Sequence, residues 1–347
     1  MKAKIVRALR AAARGALALV ALSIALGAVA ERDARRRAER DIPLRGRMVS
    51  VHDGQRLQIE CRGAGSPTVV LESGLDNLGS LSWVAVHHTL SRTARVCAYS
   101  RSGILWSSPT RTAFASPIAA RDLHEALLAA GEAAPWVMVG HSIGAAYVMR
   151  FAAMYPGEVK GLVLVDPSHP NQFASFKAIT GKSLEPPSTI IRVGASLAWT
   201  GLLRLLPEQS PPNWPVELRA ASAAFLPTSL AALGEEAAAI PATLRDVRTI
   251  HDLGGRPMVV LSATNAQSAA ALDAMGLSKS QGDRLLQVQH QLHAELAGLS
   301  CRGRHQIVPG SSHYIQIDRP NAVVDAIVEV VVAVRQDEDA VHRCARG

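Results

Sequence analysis

The feature that most constrains the fold is a short apolar strand that runs directly into a Gly-x-Ser-x-Gly segment and then into a helix. Residues 136–139 read Trp-Val-Met-Val, residues 140–144 read Gly-His-Ser-Ile-Gly, and residues 145–155 carry apolar side chains at helical spacing. Side chains in place of the two glycines would collide with so sharp a strand-to-helix turn. The pattern predicts a nucleophile elbow that exposes Ser142 at a helix N-terminus, where free N–H groups favour negative charge. The alternative is a tight turn with an inert serine.

The positive charge of the chain is confined to its N-terminal end. Among 347 residues, 37 are Lys or Arg and 29 are Asp or Glu, a formal charge of +8. Residues 1–47 hold 12 of the basic and 4 of the acidic residues, so the remaining 300 residues hold 25 of each. Residues 48–347 have no excess of positive charge that would attract the phosphates of DNA or RNA. The sequence therefore argues against nucleic-acid binding.

An uncharged run at residues 15–30 lies between two basic flanks, Lys2 to Arg14 and Arg32 to Arg40. The run ends in Ala-Val-Ala, which fits cleavage after an export signal near Ala30. Its length and its second basic flank also suit a slightly short membrane helix. We predict a single membrane anchor through residues 15–30, with export after cleavage as the alternative.

Strands and helices alternate along residues 48–169 and again along residues 256–335. Continuous apolarity in the short strands predicts a parallel, doubly wound α/β sheet that is covered on both faces. The proline-rich stretch 170–255 interrupts the alternation of strands and helices with short helix-like segments. It is interpreted as a helical cap inserted over the carboxyl edge of the strands, where ligands bind in open α/β sheets. Residues 1–47 then form a targeting or anchor segment, and residues 336–347 a tail.

His313 is the predicted base. A serine hydroxyl is a weak nucleophile without an adjacent base, and the expected order along the chain is Ser, acid, His. His313 follows the strand 305–308 and a Gly-containing turn, so it lies at the carboxyl end of a strand, where it can face Ser142. His305 lies at the opposite end of that strand, and His141 is predicted to point away from the site.

Asp166 is the predicted acid, which would fix the tautomer of His313 and stabilise the imidazolium. The loop after the strand 258–261 contains Asn265 but no carboxylate before Asp273. Asp166 ends the strand that follows the elbow helix, which places it on the same edge as Ser142. Asn265 and Asp273 remain alternatives, and Asp166 can also be a simple turn former before Pro167.

Two backbone N–H groups are predicted to form an oxyanion hole. One belongs to Ile143, the residue after the nucleophile, and the other to Leu75, in the loop after the strand 68–72. Their side chains are immaterial to that role.

No cofactor and no metal is predicted. The four cysteines, Cys61, Cys97, Cys301 and Cys344, have no metal-ligand spacing. His290 and His293 lie three apart without a carboxylate companion and are interpreted as surface histidines.

Four segments together resemble the α/β-hydrolase fold superfamily, and the resemblance covers about residues 48–335. They are Pro-Thr-Val-Val-Leu-Glu-Ser-Gly at 67–74, Val-Gly-His-Ser-Ile-Gly at 139–144, Gly-Leu-Val-Leu-Val-Asp at 161–166 and Gly-Ser-Ser-His at 310–313. The resemblance implies the fold and a Ser–His pair, and some members place the acid as Asp166 is placed. Residues 100–105 depart from it, since many relatives begin this segment with aspartate. It further implies neighbouring strands for Cys61 and Cys97, and hence a disulfide.

The leading functional hypothesis is hydrolysis of a carboxylic ester or thioester of a small-molecule acyl substrate through an acyl-Ser142 intermediate. Apolar residues of the cap suggest a hydrophobic acyl group, although they can equally form the core of the cap; they are Trp199, Leu202, Leu203, Leu205, Leu206, Trp214 and Phe225. The alternatives are an acyltransferase with the same triad and a catalytically silent, membrane-tethered binding protein. The sequence does not indicate the oligomeric state.

Overall fold

The computed structural model describes residues 2–109, 112–206, 210–265 and 269–336. All but the first residue of the predicted tail 336–347 therefore lies outside the described residues.

Eight strands form one sheet in the order β1-β2-β4-β3-β5-β6-β7-β8. They are β1 (Arg47–Ser50), β2 (Arg56–Arg62), β3 (Thr68–Glu72), β4 (Val96–Ser100), β5 (Trp136–His141), β6 (Val159–Val165), β7 (Met258–Ala263) and β8 (Gly303–Val308). β2 is antiparallel to both β1 and β4, and every pairing from β4 to β8 is parallel. The predicted doubly wound, mostly parallel sheet is confirmed.

Helices cover both faces of the sheet, as the continuous apolarity of the strands requires. The α-helices are α1 (Lys2–Asp41), α2 (Val84–Leu90), α3 (Ser116–Ala129), α4 (Gly144–Met154), α5 (Gln172–Thr180), α6 (Ser188–Leu197), α7 (Val216–Val247), α8 (Ala269–Ala274), α9 (Lys279–Ala297), α10 (Ile315–Asp318) and α11 (Pro320–Gln336). α3 and α4 pack on one face with the end of α7, whereas α2 and α11 pack on the other. β3, β5 and β7 are buried along their whole length.

The helices α5, α6 and α7 lie between β6 and β7, in the proline-rich stretch. The sequence predicts short pieces there, but α7 is one helix of 32 residues that runs through Pro227 and Pro241. A proline in a helix interior costs about 3 kcal/mol. Buried side chains on both sides of the prolines, among them Phe225, Leu233 and Leu244, hold α7 together. We infer that residues 170–255 are the cap and that residues 48–169 and 256–335 are the core.

α1 joins the N-terminal segment to the cap. Its apolar part is exposed, and it is the one helix among the described residues that is long and apolar enough to cross a membrane; its most apolar window of 18 residues has a mean hydropathy of 1.9. From Gly27 onward one face of α1 packs on the cap, where Glu31 is buried and pairs with Arg204 at 2.5 Å and Arg35 at 2.7 Å. The choice between a retained anchor and a cleaved signal stays a prediction.

The disulfide that the resemblance implies is present: Cys61 of β2 is bonded to Cys97 of β4. The two cysteines face each other in the antiparallel register of these strands. The bond therefore joins two neighbouring strands near one edge of the sheet.

Candidate active site

Ser142 lies on the turn between β5 and α4, with a positive backbone φ of 54°. A Cβ on Gly140 would approach the backbone of Ala145 to 2.7 Å, and one on Gly144 would approach the carbonyl oxygen of Ser73 to 2.4 Å. Contacts this short are not tolerated, so only glycine fits at either position. The turn is therefore as sharp as the sequence pattern predicts.

The structure brings Ser142, His313 and Asp166 together in one hydrogen-bonded line. His313 Nε2 lies 3.0 Å from Ser142 Oγ, and His313 Nδ1 lies 2.6 Å from Asp166 Oδ2. His313 precedes α10 in the loop after β8. A hydrogen bond from the backbone N–H of Ser312 to Asp318 Oδ2, at 2.7 Å, fixes this loop to α10. Ser142 Oγ thus has an imidazole within hydrogen-bond reach, and a carboxylate orients that imidazole ring.

Asp166 is held by three donors. Besides His313, Gln289 Nε2 donates to Oδ2 at 3.2 Å, and the N–H of Ala263 donates to Oδ1 at 2.9 Å. Burial raises the pKa of Asp166, but hydrogen bonding to His313 and the electrostatic interactions with His313 and His293 outweigh burial and hold the pKa below its ordinary value. Asp166 is therefore suited to remain ionised beside the imidazole.

The alternative acids lie elsewhere. Asp273 is exposed on α8. Asn265 borders the cavity above Ser142, and its backbone N–H donates to the carbonyl oxygen of Ser311 at 2.9 Å. Neither residue is hydrogen-bonded to His313 through its side chain in the part of the chain that the structure describes.

Two backbone N–H groups border Ser142 without an internal acceptor. Neither Ile143 nor Leu75 donates its N–H to an acceptor among residues 2–109, 112–206, 210–265 and 269–336, and both residues line the cavity at Ser142. A Cβ on Gly74 would lie 3.1 Å from the Cβ of Ser142, so the loop before Leu75 passes directly against the turn. Such an arrangement suits the binding of a negative oxygen.

His141 does not point away from the site, and that prediction is wrong. Its Nε2 donates to the carbonyl oxygen of His313 at 2.9 Å, and the ring centroids of the two histidines are 4.7 Å apart. Burial and the charge of His313 lower the pKa of His141 to about 3. The neutral ring of His141 is therefore hydrogen-bonded to the backbone of the loop that carries His313.

A second histidine cluster lies on the other side of Asp166, formed by His293, Ser262 and His305. Ser262 Oγ lies 2.6 Å from His293 Nδ1 and 2.7 Å from His305 Nε2, and His293 Nε2 donates to the carbonyl oxygen of Pro167 at 2.8 Å. His293 is 1% exposed, so its interpretation as a surface histidine is wrong. His290 Nε2 also has a partner, the carbonyl oxygen of Ala263 at 2.7 Å.

Gln289 and His293 were missed, although α9 carries a signal for both. Together with Leu285, Leu292 and Leu296 they fall at positions i, i+4, i+7, i+8 and i+11 of one helix. Polar residues on the apolar face of a helix are placed inward, and they are expected to find polar partners there.

We expect His293 to make the protein less stable as the pH falls from 6.5 to 4. Burial lowers the pKa of His293 to about 4. Between that value and the ordinary 6.5, the unfolded chain binds a proton that the folded protein does not, so acid favours unfolding. The full difference in pKa between the unfolded and the folded protein changes the free energy of unfolding by about 3 kcal/mol.

His293→Gln should therefore flatten the dependence of the unfolding free energy on pH, measured by urea denaturation at steps between pH 7 and pH 4. His251→Gln, at an exposed position before β7, is the control and should leave the slope unchanged. A wild-type slope in His293→Gln would contradict the assignment.

A buried arginine connects the candidate oxyanion loop to the cap. Arg101 pairs with Glu72 at the end of β3 and, at 2.7 Å, with Glu236 of α7; all three are buried. The same guanidinium donates to the carbonyl oxygen of Ser73 at 2.8 Å and to that of Gly74 at 2.7 Å. Arg101 thus holds the backbone that immediately precedes Leu75. It lies in the segment 100–105, which departs from the superfamily pattern.

A cavity of about 370 Å³ opens above Ser142 and His313. Its apolar lining comes from α5, α7, α9 and the loops beside them: Phe173, Phe176, Leu184, Ile240, Met275, Leu285 and Leu286. None of the seven cap residues suggested by the sequence lines this cavity. Trp214 and Phe225 are instead buried in the core between cap and sheet, whereas Trp199 and Leu205 are exposed.

Within the described residues, the one grouping of metal-ligand types is Cys61, Cys97 and Glu132. Both sulfurs are consumed by the disulfide, and Glu132 pairs with Arg95. The donor set does not suit a metal ion, because thiolates bind metals and disulfides do not.

Comparison with known proteins agrees with the fold described above. A family model described as alpha/beta hydrolase fold matches residues 67–185. A protein of Escherichia coli O127:H6 named as a candidate carbamate hydrolase, RutD, is 33% identical over 144 residues, which are 41% of this chain and 51% of that protein. The chain thus spans about half the length of this curated relative.

In two solved structures, the alignment with this chain covers almost the full length of the other protein. A thermophilic esterase from Thermogutta terrifontis has a TM-score of 0.55 at 20% identity, covering 83% of this chain and 98% of the esterase. A bacterial membrane phospholipase A has a TM-score of 0.56 at 19% identity, covering 96% of this chain and 99% of the phospholipase. At such identities the likeness concerns the fold. The chain has the α/β-hydrolase fold, and its residues 67–185 match the family model of that fold.

Proposed function

We propose that the protein is a serine hydrolase that cleaves a carboxylic ester or thioester through an acyl-Ser142 intermediate. The observation that carries this proposal is the line from Ser142 Oγ through His313 to Asp166, with hydrogen-bond distances of 3.0 and 2.6 Å. The unpaired N–H groups of Ile143 and Leu75 beside it supply what a developing oxyanion needs.

In the acylation half of the reaction, Ser142 Oγ attacks the carbonyl carbon while His313 Nε2 takes the hydroxyl proton. The carbonyl oxygen becomes negative and accepts hydrogen bonds from the N–H groups of Ile143 and Leu75. Asp166 stabilises the imidazolium through its bond to Nδ1. The tetrahedral intermediate then collapses, His313 gives its proton to the leaving alcohol or thiol, and the acyl group stays on Ser142.

In the deacylation half, water takes the place of the leaving group. His313 accepts a proton from the water as it attacks the acyl carbon, and the same two N–H groups hold the second oxyanion. Collapse returns the proton to Ser142 Oγ and releases the carboxylic acid. Each turnover therefore consumes one water and regenerates the free hydroxyl.

The cavity supports a substrate with an apolar acyl group. Aromatic and aliphatic side chains of α5, α7 and α9 line much of it, and a smaller number of polar residues, among them Ser142, Gln289 and His313, line the rest. The comparison proteins are named as an esterase, a membrane phospholipase A and a candidate carbamate hydrolase, and these names fit hydrolysis at a carbonyl carbon. We further propose that α1 keeps the protein at a membrane through residues 15–30.

The decisive experiment is labelling with a fluorophosphonate probe, which reacts with an activated serine. We expect stoichiometric labelling of the full chain, a mass shift on the peptide containing Ser142, and complete loss of labelling in Ser142→Ala. Ser168→Ala is the matched control, since Ser168 also borders the cavity but has no histidine partner at its hydroxyl among the described residues; it should label normally.

Folded protein that is not labelled would indicate a silent hydrolase fold and would overturn the proposal. If labelling succeeds, products formed from p-nitrophenyl esters with and without added alcohols separate hydrolysis from acyl transfer. Esters of graded acyl length then report the reach of the cavity.

A further inference from the structure

The end of the apolar run of α1 is in direct contact with the cap. A Cβ on Gly27 would lie 2.1 Å from the carbonyl oxygen of Thr200, and Gly201 packs against the backbone of Gly27 in return. One turn further along, the buried Glu31 pairs with Arg204 at 2.5 Å. The segment of the cap around residue 200 is therefore fixed beside α1 at the point where the apolar run ends.

Next to this contact the cap presents large apolar side chains to the outside. Two short 3₁₀ turns, Ala198–Thr200 and Leu202–Leu205, follow α6 directly. We call the following residues the docking face: Ile190, Val193, Trp199, Leu202, Leu205 and Leu206. Each is more than half exposed, and Leu205 reaches 81%. Apolar surface concentrated in this way indicates a contact with a membrane or another apolar body.

The dimensions of α1 point to the membrane. The 16 uncharged residues at 15–30 span about 24 Å as a helix, whereas the hydrocarbon core of a bilayer is about 30 Å thick. If residues 15–30 lie in lipid, Gly27 lies within the bilayer boundary. Thr200 of the cap, which is in contact with Gly27, then lies at the same depth. The docking face is then at the height of the membrane interface, where a tryptophan such as Trp199 is favoured.

The charges around the docking face agree with this position. Two arginines beside the docking face are paired with carboxylates: the exposed Arg192 pairs with Glu235 at 3.2 Å, and Arg204 pairs with the buried Glu31. Along α1, the exposed arginines that follow the apolar run include Arg32 and Arg36, where they can reach lipid phosphates.

We propose that the docking face inserts into the interface of a lipid bilayer beside α1, so that the cap rests on the membrane that anchors the protein. This rests on the proposed anchor and is independent of the proposed chemistry. It also bears on the substrate. Leu184 and Pro186 line the active-site cavity, and α6, which carries part of the docking face, begins at Ser188. An amphiphilic ester held in the bilayer can therefore reach the cavity along the start of α6.

The test uses the full chain reconstituted in vesicles of phosphatidylcholine and phosphatidylglycerol, with part of the phosphatidylcholine brominated near the head-group end of its acyl chains. Of the five tryptophans, Trp199 is the exposed one. We expect brominated lipid to quench part of the tryptophan fluorescence, and we expect Trp199→Phe to lose most of that quenched fraction.

A paired activity assay uses Leu202→Glu combined with Leu205→Glu. Turnover of a long-chain ester embedded in the vesicles should fall about tenfold, because charges oppose insertion of apolar surface, while turnover of a water-soluble short ester stays unchanged. Leu128→Glu is the control, an equally exposed leucine on α3, and should leave both rates unchanged.

Equal quenching in the wild type and Trp199→Phe would overturn docking. So would protection of Trp199 by a second copy of the chain, detected as crosslinking through a cysteine placed at position 205. A protein that shows Trp199 quenching but hydrolyses neither ester would retain docking and contradict the proposed function instead.

Discussion

Asp166→Asn is expected to lower kcat about 10⁴-fold while the protein stays folded. In the wild type, Asp166 Oδ2 accepts from His313 Nδ1 and from Gln289, and Oδ1 accepts from the N–H of Ala263. With asparagine, the amide oxygen keeps the bond from Ala263, and the NH₂ group faces His313. The ring then takes the other tautomer, with the proton on Nε2, and can no longer accept the proton of Ser142.

The backbone is not expected to confound this experiment. Asp166 has a φ of 42°, in the left-handed region that asparagine tolerates best among residues with a side chain. kcat for a soluble p-nitrophenyl ester and the rate of fluorophosphonate labelling are the measurements, with circular dichroism as the check on folding. Asp273→Asn, on the exposed alternative acid, is the control. A wild-type rate in Asp166→Asn would mean that Asp166 only shapes the turn before Pro167.

Arg101→Met is expected to destabilise the protein by about 3–5 kcal/mol. Arg101, Glu72 and Glu236 are each at most 3% exposed, so removing the arginine leaves two carboxyl groups buried without their partner. Urea denaturation measures the loss. The backbone carbonyl groups of Ser73 and Gly74 lose their donor as well, which frees the loop that carries Leu75.

The kinetic part of this prediction separates positioning from stability. Arg101→Lys retains a charge for one carboxylate, but a single ammonium cannot also hold both carbonyl oxygens in the geometry of the guanidinium. We expect partial recovery of stability, with kcat still reduced about 10-fold to 100-fold and KM little changed.

Arg256→Met is the matched control for Arg101. Arg256 is also a buried arginine that donates to carbonyl groups, those of Val159, Leu253 and Pro156, at the far edge of the sheet. Its loss should reduce stability and leave kcat unchanged. If Arg101→Lys has the wild-type kcat, Arg101 contributes only to stability.

The sequence predicts those parts of the fold and site whose position follows from strand order. Residues at the carboxyl ends of parallel strands share one edge of the sheet, so Ser142, Asp166 and His313 can be placed near each other from β5, β6 and β8 alone. β5 and β6 are recognised by their nearly continuous apolarity, whereas β8 reads Gly-Arg-His-Gln-Ile-Val and is apolar only at its end.

Features that depend on how helices dock across that edge could not be predicted in the same way. Gln289 and His293 reach Asp166 only because α9 packs against the end of β7. The lining of the cavity comes from α5, α7 and α9. The helix α7 continues through two prolines because the burial of its apolar side chains outweighs the low helix propensity of proline. The link between Arg101 and Glu236 joins residues 135 positions apart, which no local pattern reveals.

The bond between Cys61 and Cys97 has a topological consequence. Positively charged residues bias a membrane helix toward placing their side in the cytoplasm, but here five precede the run 15–30 and seven follow it before residue 48, so the bias is weak and favours a cytoplasmic core. Disulfides persist in oxidising compartments. If α1 anchors the chain as we propose, the disulfide predicts the orientation opposite to this weak bias, with the N-terminus on the cytoplasmic side and the sheet with its cap on the outer side.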